Sequence, residues 1–225
     1  MTVAEDTTLH VTELFTTDQR AELEALADDV RYPSKHTVFW EGQPSLSVLI
    51  IREGTVKVTR RDADGNEVVL AIRGGDQVIG EEGVLMGESR AATVTTITDV
   101  TALTVRAEEL LRFVEERNLW RTMYQAAVRR RRQLDERLVQ LREEDVGTRL
   151  ARCLLDLVDE LGKETGDGWV IESTLSQLDL ATRITASRDS VAQELRKFRK
   201  AGLVTTGQHR IVVKDLTALR AMTTR

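Results

Sequence analysis

The chain has 225 residues, of which 41% are hydrophobic and 31% are charged, so it is long enough for two domains with modest cores. No stretch reaches the roughly 20 apolar residues that span a bilayer, which argues against a membrane protein. The single cysteine excludes a disulfide framework, and the acidic residues 1–6 lack the features of a secretory signal, so we expect a cytoplasmic protein with no membrane partner.

The net charge of −5 is distributed unevenly along the chain. Residues 1–116 contain 11 basic and 22 acidic side chains, whereas residues 117–225 contain 21 basic and 15 acidic ones. The excess of positive charge in the second half favours nucleic acid as a partner. A solvated basic surface without a partner explains this charge equally well.

The first half is predicted to be mainly β-structure. A short helical segment is expected around residues 17–28, and short strands are expected between Tyr32 and Val105, where β-branched or alternating runs are separated by glycine-containing turns. Asp64-Gly65-Asn66 is typical of a hairpin turn, because glycine and asparagine tolerate the positive φ of tight hairpins. We therefore predict an antiparallel roll or barrel.

One long helix is predicted between Leu119 and Glu144, because no glycine or proline interrupts this segment. Two rows with seven-residue spacing form a seam along it: Trp120, Ala127, Leu134 and Leu141, and between them Tyr124, Arg131 and Leu138. The seam needs a second helix, and we favour a symmetric homodimer over packing on the chain's own β-domain. Arg131 is the exception, since a charge at a seam position costs stability unless it is paired or contacts a ligand.

A helix-turn-helix pattern occupies residues 176–198, after an amphipathic helix that runs from Gly147 to Gly162 and buries Cys153. Ser176 and Ser187 are suited to cap the two helices of the motif. The second helix has an inward row of Val191, Leu195 and Phe198 and an outward set of Arg188, Asp189, Ala192, Gln193 and Arg196. Residues 202–213 follow as a predicted β-hairpin wing.

Five short motifs are distributed along nearly the whole chain: Glu41-Gly42 ahead of residues 49–51, residues 53–58, Ile79-Gly80-Glu81, residues 90–94 and residues 186–191. In this order and spacing they resemble the CRP/FNR family, named for the catabolite activator and the fumarate–nitrate regulators. The resemblance implies a bacterial transcription regulator with an α+β fold. It places an antiparallel, cyclic-nucleotide-binding-like β-roll in residues 1–116, a dimerisation helix in 117–145 and a winged helix-turn-helix in 146–225.

The family resemblance also places an effector pocket in the β-roll. Backbone N–H groups after Gly80 and the Arg90 guanidinium would bind a phosphate, and Glu81 would bind a ribose hydroxyl. An internal ion pair between Glu81 and Arg90 is the alternative. The further candidates for ligand contact are Glu82, Ala91, Arg131, Leu134 and Asp135.

Three of these candidates depart from the family pattern. Glu82 adds a negative charge, Ala91 lacks a hydroxyl for the phosphate, and Leu134 replaces the threonine that meets the adenine in cyclic-AMP-responsive members. The identity of the effector therefore stays open. It could be cyclic AMP, another cyclic nucleotide or a cyclic dinucleotide, or the protein could have no effector. One cysteine cannot hold an iron–sulfur cluster, and three scattered histidines disfavour haem, so neither cofactor nor any metal is expected.

At the DNA end, the resemblance places the helix that begins at Ser187 in the major groove. Arg188 matches the position that reads guanine, because its planar fork donates two bonds to O6 and N7. Asp189 stands where the family usually has glutamate, and Gln193 where arginine is frequent, so the base preference should differ. The candidates for contact with phosphates are Ser176, Gln177 and Ser187, and further field and backbone contacts would come from Arg196, Lys197, Arg199, Lys200 and Arg210. A solvated helix end that complements the helix dipole explains the basic residues at 196–200 equally well.

The resemblance implies three partners: double-stranded DNA, a second copy of the chain and RNA polymerase. Two departures, Arg183 on the first helix and Thr185 in the turn, leave open a ligand-sensing protein that no longer binds DNA. An enzyme is the other alternative. The sequence has no phosphate-binding P-loop, metal-ligand cluster or nucleophile–base motif, so we predict no catalytic residues.

Overall fold

The fold was obtained as a computed structural model, which describes residues 10–63, 65, 67–172, 176–207 and 210–223. Within these ranges the side chains of residues 133, 134, 136–143, 160 and 172 lie outside the description. The chain divides into two compact units, Met1–Glu136 and Arg137–Arg225. The first unit contains two sheets and the second contains one.

The first unit is an antiparallel β-roll with helices, as predicted. Its strands form two sheets with the orders β1-β8-β3-β6 and β2-β7-β4-β5. The strands are β1 (Asp28–Tyr32), β2 (Thr37–Phe39), β3 (Ser47–Glu53), β4 (Val56–Arg61), β5 (Glu67–Arg73), β6 (Val78–Ile79), β7 (Thr93–Thr96) and β8 (Val100–Arg106). The helices are α1 (Val11–Leu14), α2 (Thr17–Ala25), α3 (Glu81–Met86), α4 (Ala107–Glu116) and the start of α5 (Trp120–Glu143).

Strand β3 lies at the centre of this unit and is covered on both faces. Leu49 and Ile51 belong to one buried cluster, and Val48 and Ile50 belong to a second cluster, which also contains residues of α1, α2, α4 and α5. Because successive side chains of a strand point to opposite faces, the two pairs serve different cores. A continuous apolar run is therefore needed at 48–51.

The helices of the first unit pack on the cluster that contains Val48. The rings of Phe15 and Phe113 meet edge to face, with centroids 5.7 Å apart. Leu119, Met123 and Ala126 join the same cluster at the start of the long helix. One face of this helix is thus buried within the first unit.

Two local predictions in this unit are refined by the structure. The helix expected over residues 17–28 ends at Ala25, because Asp28 already pairs with Thr104 of β8. Gly65 has the expected positive φ of 82° and donates its N–H to the Asp62 carbonyl oxygen at 3.0 Å. Asp64 and Asn66 lie outside the described residues.

The second unit contains the predicted winged helix-turn-helix. Its sheet has the strand order β11-β12-β10-β9. The elements are α6 (Val146–Leu161), β9 (Gly162–Thr165), β10 (Gly168–Glu172), α7 (Gln177–Arg183), α8 (Arg188–Lys200), β11 (Val204–Gly207), β12 (Arg210–Val213) and α9 (Leu216–Met222). Cys153 is buried on α6, as expected. None of the helices within the described ranges is both long enough and apolar enough to cross a bilayer.

Candidate functional site

The helix-turn-helix consists of α7 and α8, and each helix is capped by the serine expected from the sequence. The Ser176 hydroxyl accepts the Asp179 N–H at 3.1 Å, and the Asp179 carboxylate accepts the Ser176 N–H at 2.6 Å. The Ser187 hydroxyl accepts the Ser190 N–H at 3.1 Å. These bonds satisfy N–H groups that have no partner within the helix, and they fix where each helix begins.

Helix α8 has the two faces that its spacing predicts. Val191, Leu195 and Phe198 are each no more than 3% exposed and hold the helix to its unit. The opposite face presents Arg188, Asp189, Gln193 and Arg196, which are all exposed. This face can approach another molecule without any loss of packing.

Arg188 differs from Arg196, Lys197 and Arg199 of the same helix, whose side chains have partners within the chain. Lys197 forms an ion pair of 2.7 Å with Glu194, and Arg199 donates to the Thr206 hydroxyl of β11 at 2.7 Å. Over the residues that the structure describes, the Arg188 side chain makes neither an ion pair nor a hydrogen bond. Its guanidinium is therefore available to a ligand at the first turn of the exposed face.

The turn between α7 and α8 contains Thr185 at a φ of +53°. This left-handed conformation is unfavourable for a β-branched residue, which explains why glycine suits the position better. Arg149 of α6 secures the turn by donating to the carbonyl oxygens of Ile184 at 2.7 Å and Thr185 at 3.1 Å. Arg149 was not predicted from the sequence, because its role depends on the packing of α6 beside the turn.

Arg183, the other departure in the motif, is part of the core rather than of the surface. Its side chain is 6% exposed and lies 3.7 Å from the Asp156 carboxylate of α6. The charge at this normally apolar position is therefore balanced by a carboxylate on the helix beneath it. The motif keeps its geometry despite the substitution.

In the first unit, Gly80 and Arg90 come together at the start of α3. Gly80 has a φ of +84°, and a Cβ atom there would lie 2.2 Å from Arg90 Nη1. Both the backbone conformation and the close approach require glycine. Arg90 therefore lies directly against the turn at which α3 begins.

The Arg90 side chain is buried, with 6% of the residue exposed. It donates to the carbonyl oxygens of Gly80 at 3.0 Å and Ser47 at 2.6 Å, and it lies 3.6 Å from the centroid of the Phe39 ring. Burial lowers the pKa of the Arg90 guanidinium from its ordinary value, and the negative charge of Glu81 opposes this shift. An anion at this place would compensate the desolvated charge.

Glu81 is also buried, and its partner lies on the long helix. Its carboxylate accepts a hydrogen bond from Arg130 of α5 at 2.7 Å, and its side chain is 9% exposed. No ion pair joins Glu81 to Arg90 within the described part of the chain, so the internal pair considered above is not formed. Arg130 was not among the residues predicted from the sequence to belong to this site.

The remaining candidates for ligand contact are less closely gathered. Glu82 and Ala91, the neighbours of Glu81 and Arg90 in the chain, are both exposed. Arg131 and Asp135 form an exposed i,i+4 ion pair of 3.3 Å on α5, so the charge at the seam has a partner on its own helix. The side chain of Leu134 lies outside the description.

The described part of the seam predicted on α5, residues 120–131, is not covered by the first unit. The side chains of Leu138 and Leu141, like that of Leu134, lie outside the description. Trp120 is 40% exposed and Tyr124 is 71% exposed, and Ala127 and Arg131 are exposed as well. The residues that pack on the β-roll form a separate row, which contains Leu119, Met123, Ala126 and Arg130. The four residues of this row are spaced by four, three and four positions, like those of the seam, and each lies one position before a seam residue. This spacing could have been found in the sequence as a second helix face.

Two family models match the chain. A cyclic nucleotide-binding domain covers residues 29–117, and a Crp-like helix-turn-helix domain covers residues 148–222. The first contains Gly80, Glu81 and Arg90, and the second contains all of α7 and α8. The two matches thus coincide with the two candidate sites.

Curated relatives extend over most of the chain. A CRP-like cAMP-activated global transcriptional regulator of Mycobacterium tuberculosis is 31% identical over 83% of this chain and 84% of its own. A global nitrogen regulator of Synechococcus elongatus is 29% identical over 81% and 84%. Among solved structures, a CRP-family transcriptional regulator of Thermus thermophilus matches with a TM-score of 0.74 at 22% identity, covering 87% of this chain and 97% of that one. FixK2 of Bradyrhizobium japonicum matches with a TM-score of 0.73 at 18% identity, covering 88% and 98%.

Proposed function

The chain belongs to the CRP/FNR family of transcriptional regulators, and from this premise we propose that it binds a palindromic operator as a homodimer through helix α8 of each subunit. The observation that carries the proposal is the free guanidinium of Arg188 at the start of the exposed face of α8. Arginine at such a place suits guanine, whose O6 and N7 accept two parallel bonds. In the proposed complex Arg188 supplies the main direct base contact.

Asp189 and Gln193 share this face and would complete the base readout. A carboxylate accepts from cytosine N4, and an amide suits adenine. Phosphates would be contacted from both ends of the motif by Ser176, Gln177, Ser187, Arg196 and Lys197. Lys197 would exchange its exposed ion pair with Glu194 for a phosphate at small cost, because exposed ion pairs are weak.

The exposed row of Trp120, Tyr124, Ala127 and Arg131 supports the dimer. Large aromatic side chains at seam spacing remain in water in a single chain, and the same row of a second copy would cover them. We therefore assign residues 117–145 to dimerisation, between a sensor in 1–116 and a DNA-binding domain in 146–225. Two copies would place their α8 helices in successive major grooves on one face of the duplex.

For the sensor we propose a cyclic nucleotide as the effector. Arg90 is a buried cation at the start of α3, and Glu81 is a buried carboxylate on the next residue after Gly80. They suit the phosphate and the ribose hydroxyl respectively. Arg131, Leu134 and Asp135 of α5 would lie toward the base, with Glu82 and Ala91 at the rim. A nucleotide bound there would neutralise the charge of Arg90. Its contact with Glu81 would also affect α5, because Glu81 is paired with Arg130 of that helix.

One observation favours a second candidate, an effector-independent regulator. Arg90 already donates to two carbonyl oxygens, and Glu81 is already paired with Arg130. Both residues that a nucleotide would use are thus satisfied by the protein itself. Isothermal titration with cyclic AMP, cyclic GMP and a cyclic dinucleotide separates the candidates. Binding that is lost in Arg90→Ala supports the nucleotide, and no binding by any of the three supports the effector-independent regulator.

The family consists of transcription regulators, and we propose that this chain has no catalytic activity of its own and acts in the cytoplasm beside the chromosome. RNA polymerase is the further partner that we propose. The test of DNA binding is fluorescence anisotropy with an operator selected by the protein. Arg188→Ala should weaken binding by about 1–3 kcal/mol, whereas Lys163→Ala, which removes an exposed charge from β9, should have little effect. Equal affinities of Arg188→Ala and the wild type would refute the assignment of α8.

A further inference from the structure

Two of the proposed base-reading residues lie in a stretch of the helix-turn-helix that is not anchored in the core. Ile184 is buried at the end of α7 and Val191 is buried within α8. The six residues between them are exposed or only partly buried, and they include Arg188 and Asp189. Apolar packing therefore does not hold the backbone at the place where α8 would begin to read the bases.

Hydrogen bonds hold this stretch instead. The Ala186 N–H donates to the Ala181 carbonyl oxygen of α7 at 2.9 Å. On the other side of the turn, a single nitrogen, Nη1 of Arg149, donates to the carbonyl oxygens of both Ile184 at 2.7 Å and Thr185 at 3.1 Å. The two Arg149 bonds come from α6, so they tie the turn to an element outside the motif.

Arg149 is itself fixed in place at the first turn of α6. Its N–H donates to the carbonyl oxygen of the capping residue Asp145 at 3.0 Å, and the next residue, Leu150, is fully buried. Its Nε atom is buried and has no hydrogen-bond partner among the described residues. Because a buried donor without a partner costs free energy, a solvated arginine would avoid this arrangement. The two bonds to the turn help to offset that cost.

The turn needs such a support because Thr185 has a φ of +53°, which is unfavourable for a β-branched residue. Relaxation of Thr185 would change the direction in which the chain enters α8. Arg188 follows only three residues later. A bidentate contact between arginine and guanine needs both of its hydrogen bonds near 3 Å, so a displacement of about 1 Å breaks at least one of them.

We propose that Arg149 is a positioning residue for base recognition. By holding the two carbonyl oxygens of the turn, it places Arg188 and Asp189 against the base edges and acts through them. This inference rests on the proposed function of α8 in DNA binding. Loss of Arg149 should therefore reduce selectivity for the operator, whereas the general attraction to DNA, which depends on the charge of the domain, should change little.

The test compares Arg149→Met with Arg152→Met in the full-length protein. Methionine keeps an apolar stem and removes the donors. Arg152 lies on the same helix but is bonded to Glu144 and to the Thr223 carbonyl oxygen, so it is the matched control. Fluorescence anisotropy measures the affinity for an operator selected by the wild type and for a random duplex of equal length, at one salt concentration.

We expect Arg149→Met to lower the ratio of operator affinity to random-DNA affinity at least about tenfold, and Arg152→Met to change it less than about twofold. Arg149→Lys keeps the charge and an N–H donor, so its ratio should lie between those of the wild type and Arg149→Met. Circular dichroism shows whether each variant is folded. If Arg149→Met is unfolded, Arg149→Lys takes its place in the comparison.

A double variant separates positioning from simple destabilisation. Adding Arg149→Met to Arg188→Ala should lower the ratio by no more than about threefold further, because the main contact that Arg149 positions is already lost. The inference is overturned if Arg149→Met selects the operator like the wild type, if it weakens binding to operator and random DNA equally, or if the two losses multiply in full. If the wild type prefers no duplex at all, the proposed function fails and this inference fails with it.

Discussion

Glu81 accepts a hydrogen bond of 2.7 Å from Arg130, so an ion pair with a buried carboxylate joins the start of α3 to the long helix. Glu81 is a candidate ligand residue, and Arg130 lies in the middle of a helix whose adjacent face we assign to the dimer. A ligand that takes up the Glu81 carboxylate must change or strengthen this pair. The pair therefore connects the proposed effector site directly to the helix that we assign to the dimer.

Arg130→Ala should destabilise the first unit by about 2 kcal/mol, because it leaves a buried carboxylate without its cation. Arg129→Ala is the matched control, since Arg129 is an exposed arginine on the same turn, and its effect should stay within about 0.5 kcal/mol. Urea denaturation followed by circular dichroism measures both. Equal destabilisation by the two variants would show that the Glu81–Arg130 pair is not important for stability.

Gly80→Ala should destabilise the protein more than Gly87→Ala, although both glycines have a positive φ. A Cβ at Gly87 meets no atom within 4 Å, so the cost there is the backbone conformation alone, about 1 kcal/mol. At Gly80 the added Cβ would lie only 2.2 Å from Arg90 Nη1, so the Arg90 side chain would have to move. The loss of its hydrogen bonds adds about 1–2 kcal/mol to the destabilisation. Thermal unfolding of the two variants measures the difference, and equal midpoints would contradict the close approach of Arg90.

Thr185→Gly should stabilise the second unit by about 0.5–1 kcal/mol. Glycine removes the penalty of a β-branched residue at a φ of +53°, and this gain exceeds the added entropy of the unfolded chain. The same substitution at Thr182, which is helical in α7, should destabilise by about 1 kcal/mol. Urea denaturation compares the two, and a loss of stability in Thr185→Gly would mean that the side chain makes a compensating contact.

Tyr124→Glu should convert the proposed dimer to a monomer, because it places a negative charge on each side of the seam. Gln125→Glu puts the same charge on an exposed neighbouring position and is the control. Sedimentation velocity at micromolar concentration reports the mass of each variant. If the Tyr124→Glu protein stays dimeric, or if the wild type is monomeric, the seam is not a dimer interface.

Much of the second unit could be predicted from local sequence. The i, i+4, i+7 row of Val191, Leu195 and Phe198 determines which face of α8 is buried, and Ser176 and Ser187 determine where the two helices begin. Such signals act within a few residues and need no knowledge of the fold. The hairpin of β9 and β10 was not predicted, because the segment from Gly162 to Thr165 carries no apolar alternation of its own.

The contacts that the sequence could not supply are those between distant elements. Arg149 lies 36 residues from Thr185, whose carbonyl oxygen it binds, and Arg130 lies 49 residues from Glu81. An arginine gives the same local signal whether it is solvated or paired, so only the packing of α5 and α6 reveals these roles. Arg183 shows the same limit, since a charge that looked foreign to the motif is buried against Asp156.

The most direct test of the central claim is selection of bound duplexes from random-sequence DNA by the purified protein, with each cyclic nucleotide and without any. Dimeric binding through α8 requires enrichment of an inverted repeat, with half-sites whose centres lie about 10 base pairs apart. It also requires that Arg188→Ala lose the preference at one symmetric pair of positions in that repeat. Enrichment of no sequence under any condition, or of a single unpaired half-site, would contradict the account.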